Sequence, residues 1–173
     1  MRIPEFKYGQ FAVLTVDPFD YMDAVISKGP EGLTDTSLRD EAKRAVEVIR
    51  SNGGVLVEAL GVPPLIALWA CPTGAADVRA LVAGKALAKT KPVAGLKGPY
   101  VGLSYGNMLF QEDRRGIINI LGPALKRCDE LYRLAQKRGV ALVVDDGIAR
   151  LGAVGEFEAI GEGAFAWTGV ARS

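Results

Sequence analysis

The sequence predicts an α+β domain: a ferredoxin-like βαββαβ core with additional C-terminal strands, and helices packed on a mostly antiparallel sheet. Three observations carry that expectation. Short apolar, β-prone runs alternate with stretches of helical periodicity, and glycine and proline punctuate the boundaries between them. The order then reads strand, helix, two strands, helix, strand, before continuing with a strand, a helix and further strands.

Residues 11–16 form a β-prone apolar run closed by Asp17-Pro18, because the residue before a proline is pushed out of helical geometry. They read as a central strand. Residues 34–37 supply N-cap candidates for a helix whose apolar positions are Leu38, Ala42, Ala45, Val46 and Ile49, and Asn52-Gly53-Gly54 stops it. Residues 55–60 and 65–70 read as a hairpin across Gly61-Val62-Pro63-Pro64. Residues 73–89, rich in Ala and Leu, predict a second helix, and residues 92–99 a loop punctuated by Gly95 and Gly98.

A strand is expected over residues 100–110 and a brief apolar run over 117–121. Pro123 then suits a first helical position, since its missing N–H costs little there. The third helix carries a stripe of Leu125, Cys128, Leu131, Tyr132 and Ala135, with Gly139 where a C′ glycine belongs. Residues 140–144, 156–160 and 165–170 complete the strands, with a short helical turn between Asp146 and Leu151. This order suggests that the helices lie on one face of the sheet, and that residues 1–173 form one domain.

The charge balance excludes several functions. The 21 basic and 20 acidic residues are spread along the chain for a net charge of +1, which offers no footprint for nucleic acid or an anionic membrane. No stretch reaches the roughly 18 consecutive apolar residues of a membrane span, and the N-terminal residues lack a signal-peptide apolar region, so a cytoplasmic location is expected. Cys71 and Cys128 lie inside apolar-patterned segments and read as buried free thiols. The chain has no histidine, which removes the commonest general base and zinc ligand.

Four segments, in order, resemble the class III adenylate and guanylate cyclase homology domain. They are residues 11–17; residues 46–55 running on to Glu58-Ala59-Leu60-Gly61; residues 101–107; and Arg114-Arg115 leading into Ile120-Leu121-Gly122. The resemblance spans nearly the whole chain, and the shared order and spacing give it its specificity. It implies two aspartates that hold two divalent cations, Mg²⁺ or Mn²⁺, over a nucleoside triphosphate, where the metal raises the nucleophilicity of the ribose 3′-hydroxyl.

Asp17 falls where the resemblance places the first aspartate, and Val62 stands where it places the second. Glu58 falls at the base-selecting place and leans towards guanine, while Asn119 falls at the second purine-contacting place. On the helix after Gly122 the family's pattern carries an asparagine and, one turn later, an arginine that stabilises phosphate; Lys126 and Glu130 stand there instead. A carboxylate at a phosphate site reverses the interaction's sign, and electrostatic stabilisation is usually the largest catalytic term.

Each residue also has a plainer reading. Lys126 and Glu130 suit a solvated i,i+4 pair, Asp17 a strand-end Asx turn, and Glu58 an outward-facing strand residue. Arg114 and Arg115 suit a solvated loop, and Asp145-Asp146 a turn and helix cap. Gly102 and Gly106 lack the strand-to-helix context of a dinucleotide motif.

The expectation is a degenerate cyclase-like domain, with Asp17 a vestigial metal ligand, serving as a signalling, dimerisation or ligand-binding module. The resemblance implies a head-to-tail homodimer, with a purine nucleotide or a protein as further partner. The alternative is a guanylate-leaning cyclase, active alone or within a heterodimer. A third reading keeps only the topology and gives the domain a ligand unrelated to nucleotides.

Overall fold

A computed structural model describes residues 6–20, 26–29, 31, 36–57, 64–92, 94–113 and 115–169. Its first strand, β1 (Lys7–Asp17), begins four residues before the apolar run. The reason is its partner: every residue of β1 pairs antiparallel with β4 (Tyr100–Glu112), which is two residues longer than β1. Between them come α1 (Thr36–Ser51), β2 (Val55–Leu56), β3 (Leu65–Ala70) and α2 (Val78–Ala88). β5 (Ile118–Leu121), α3 (Pro123–Arg138), β6 (Leu142–Asp145), α4 (Asp146–Ala149), β7 (Phe157–Gly161) and β8 (Ala164–Trp167) complete the order.

The sheet runs β2-β3-β1-β4-β6-β8-β7, with β5 on β4 off this path. Its first four strands are antiparallel neighbours, and with α1 and α2 they form the expected βαββαβ core. β6 joins β4 in parallel, because α3 carries the chain back to the start of β4 before β6 sets out. The two-residue turn between β7 and β8, Glu162-Gly163, has positive φ at both positions (52° and 67°), as a primed hairpin turn requires.

The helices divide between the two faces of the sheet, contrary to the single covered face that the element order suggested. Ala12, Leu14 and Val16 of β1 pack with Ala45 and Ile49 of α1 and with Ala80 and Leu81 of α2. Val13 turns the other way and packs with Ala124 and Cys128 of α3. β1 is apolar on both faces because both are covered.

α1 buries Leu38, Ala42, Ala45 and Ile49, a four-three-four spacing that keeps one stripe on the sheet. α2 begins five residues later than composition implied. Gly74 turns the chain with a φ of 76°, and the Asp77 side chain then caps the helix by accepting from the Arg79 N–H at 2.9 Å. α3 starts with Pro123 and ends at Gly139 in the left-handed region, φ 65°.

Gly102 sets how closely α3 approaches the sheet. A Cβ there would lie 2.5 Å from the Tyr132 backbone nitrogen and 2.6 Å from the Cys128 carbonyl oxygen, so only glycine admits the helix backbone at this depth. The Cys128 thiol lies within hydrogen-bonding reach of the Val13 carbonyl (3.2 Å), the Gly102 carbonyl (3.3 Å) and Thr15 Oγ1 (3.3 Å). Ser104 Oγ donates to the Ala124 carbonyl at 2.6 Å.

Candidate functional site

Asp17 closes β1 opposite Tyr100 and belongs to the face that α3 covers. It is 3% exposed. The Tyr132 hydroxyl, from the third turn of α3, donates to Asp17 Oδ2 at 3.2 Å, and Gln136 Nε2 donates to the same hydroxyl oxygen at 2.9 Å. Burial pushes the Tyr132 phenol well above its ordinary value, and the negative charge of Asp17 adds to the effect. The hydroxyl therefore stays protonated at neutral pH and serves as a donor.

The other residues of interest are not gathered around Asp17. Lys126 is exposed on α3, six residues before Tyr132, which is about 9 Å along the helix axis. Glu130 points away from the sheet with 48% of its side chain exposed. Its partner is Arg127, whose Nη1 donates to Glu130 Oε2 at 3.2 Å, so the expected pairing with Lys126 is replaced by one at i,i+3. Arg127 is held from its other nitrogen, Nη2, which donates to the Glu162 carbonyl at 2.7 Å.

Asn119 is exposed on β5, paired in register with Gln111 of β4. Glu58, Val62 and Arg114 lie outside the described residues. Asp145 caps α4 as expected. Its Oδ1 accepts from the Ile148 N–H at 3.0 Å and its Oδ2 from the Tyr105 N–H at 2.8 Å, while burial raises its pKa.

The described residues do not compose a site for Mg²⁺ or Mn²⁺. Such ions want several hard oxygen ligands and retain waters of their own. Here Asp17 is buried and engaged by a phenol, and no group of three or more His, Cys, Asp or Glu is gathered among the described residues. A cleft of about 410 Å³ does open on the opposite face of the sheet, between α1, the end of α2 and the end of β1. Val16, Ala45, Val48 and Leu87 line its apolar wall, with Glu41 and Arg44 among its polar residues.

Sequence reasoning missed Tyr132 as a partner of Asp17, because it placed Tyr132 in the apolar stripe of α3. The available signal was its position: a tyrosine on a buried stripe carries a hydroxyl that must find a partner.

The sheet order, the parallel return through α3 and the βαββαβ core together define the adenylyl and guanylyl cyclase domain fold, which solved structures share. A bacterial light-regulated adenylyl cyclase superposes with a TM-score of 0.68 at 14% identity, over 95% of this chain and 53% of that one, so this chain spans about half of that protein. The adenylyl cyclase CyaB from P. aeruginosa matches at a TM-score of 0.65 and 16% identity, over 97% of this chain and 98% of its own. A dimeric guanylyl cyclase domain from the aquatic fungus Blastocladiella emersonii matches at 0.66 and 13%, over 95% and 97%. No protein-family model and no curated protein sequence matches, so the likeness lies in the fold.

Proposed function

We propose that residues 1–173 form one cyclase-fold domain that has given up nucleotide cyclisation and acts as a dimerising, ligand-binding or signalling module. The observation that carries this reading is Glu130. It sits where the resemblance calls for an arginine on phosphate, and it is an exposed carboxylate already paired with Arg127. A negative charge there repels a triphosphate where positive charge is needed. Val62, in place of the second cation-binding aspartate, supports the same reading.

Self-association is part of the proposal, in the head-to-tail form that the resemblance implies. Beyond the core, the N-terminal half of β1, the C-terminal half of β4 and β5 make a three-stranded arm. Tyr8, Leu109 and Leu121 stand in one cross-strand row there. Tyr8 is 70% and Leu121 63% exposed, apolar surface of the kind a second chain can cover. The Blastocladiella domain is described as dimeric, which is in keeping with this.

The test has two arms. Thermal stability is measured with millimolar GTP, ATP and their cyclic products in the presence of Mn²⁺, alongside a turnover assay. The expected result is no cyclic nucleotide formed, and a melting shift with a ligand only if the base pocket survives; a ligand at one hundred times its dissociation constant adds about 2.7 kcal/mol. Sedimentation should find a dimer. Mn²⁺-dependent formation of a cyclic nucleotide that Asp17→Ala abolishes would overturn the proposal.

A further inference from the structure

We infer that Tyr132 keeps the Asp17 carboxylate closed to divalent cations and turns a potential ligand into an internal hydrogen-bond acceptor. The inference rests on reading Asp17 as the strand-end carboxylate of a cyclase-fold domain, and it adds a named residue that no part of that reading requires.

Two independent features support it. The first is the hydrogen-bond chain. Gln136 Nε2 donates to Tyr132 Oη, which directs the hydroxyl proton onto Asp17 Oδ2. Gln136 and Tyr132 are one helical turn apart on α3, so the helix itself sets their spacing.

The second is the depth of α3. One rung from Asp17 on the α3-covered face, Thr15 pairs with Gly102, where the helix backbone would lie 2.5 Å from a Cβ. That depth holds the Tyr132 side chain against Asp17, itself 3% exposed, and sets the hydroxyl beside Oδ2, in space that a hydrated Mg²⁺ or Mn²⁺ would need. At Oδ2 the fold supplies the phenol in place of an ion.

The experiment is a Mn²⁺ titration without nucleotide, read by water-proton relaxation or electron paramagnetic resonance, on the full chain. The proteins are wild type, Asp17→Asn, Tyr132→Phe, and the double variant Tyr132→Phe with Asp17→Asn. Wild type and Asp17→Asn should titrate alike. Tyr132→Phe should gain one Asp17-dependent binding event per chain, lost again in the double variant.

The inference is overturned if Asp17→Asn lowers Mn²⁺ binding of the otherwise wild-type protein, or if folded Tyr132→Phe gains none. Should Tyr132→Phe lose its melting transition, Gln136→Leu takes its place. That variant leaves the ring packed and removes the donor that directs the hydroxyl proton onto Asp17, so a smaller Asp17-dependent gain is expected, and a folded Gln136→Leu protein that titrates as wild type counts against the inference. Turnover of GTP by the wild type would defeat the proposed function, whereas the titration judges Tyr132 alone.

Discussion

Replacing Gly102 with alanine should unseat α3. The new Cβ would stand 2.5 Å from Tyr132 N, 2.6 Å from Cys128 O and 2.9 Å from Tyr132 Cα, where ordinary contact begins near 3.4 Å. All three obstructing atoms are backbone, so no rotamer change relieves them. The helix must retreat by roughly 1 Å, stretching the thiol's contacts with β1 and β4 and the contact between Tyr132 and Asp17. Overpacking of a tight core costs about 1–3 kcal/mol, and an immovable neighbour puts this case at the upper end. At roughly 2–4 °C per kcal/mol for a domain of this size, about 3 kcal/mol corresponds to a fall of about 6–12 °C in melting temperature. Gly106→Ala is the control, because its Cβ meets Ala124 Cβ at 3.5 Å and should leave the melting temperature nearly unchanged. Differential scanning fluorimetry suffices, and equal melting of Gly102→Ala and wild type would refute the reasoning.

Three further outcomes follow from the same structure. Gly84→Ala, in the interior of α2, meets Leu103, Leu142 and Leu14 side-chain carbons at 3.4, 3.5 and 3.8 Å, ordinary contact distances, so the helix-propensity gain of up to about 1 kcal/mol should raise the melting temperature by a few degrees. Ellman's reagent should fail to label the native protein at mildly alkaline pH and should label both thiols in denaturant, because burial pushes Cys128 up to about 12 and raises Cys71 as well. The hydrogen bond from Lys85 holds the Glu156 carboxyl below its ordinary value of 4.5. A depressed acid contributes stability that is present above 4.5 and lost as pH falls through the folded value, so Lys85→Met should flatten the acid side of the stability curve, measured as melting temperature from about pH 7 to about pH 3.

Where the sequence was legible, local periodicity was the reason. The stripes of α1 and α3 and the ends at Asn52-Gly53 and Gly139 rest on spacings of three, four and one residue, all readable along a single helix. The start of α2 was misjudged because Ala75 and Ala76 continue the helix's composition while Asp77 begins its geometry.

The stripe of α3 told which of its residues are buried but not which face of the sheet buries them. Only the two-sided apolar character of β1, Val13 against Leu14, carried that information. The Asp17–Tyr132 contact joins residues 115 apart, beyond the reach of any local pattern. Both the Lys126 and Arg127 pairings of Glu130 were open to a helix, and the Glu162 carbonyl, which anchors Arg127, comes from a distant turn.

The pairing of β1 with β4 also bears on how the chain folds. These two strands hold the centre of the sheet, yet their partners lie about 80 to 100 residues apart, so the central ladder can close only after a long loop has lost its freedom. During synthesis at about 5–20 residues per second, β1 emerges roughly 5–20 seconds before the strand that completes it. Through that interval the first two helices can cover only the face of Ala12, Leu14 and Val16, while the face of Val13 waits for α3, which follows β4, or for a chaperone. Refolding in vitro should accordingly fall toward the slow end of the range for small domains, with milliseconds to seconds as the scale.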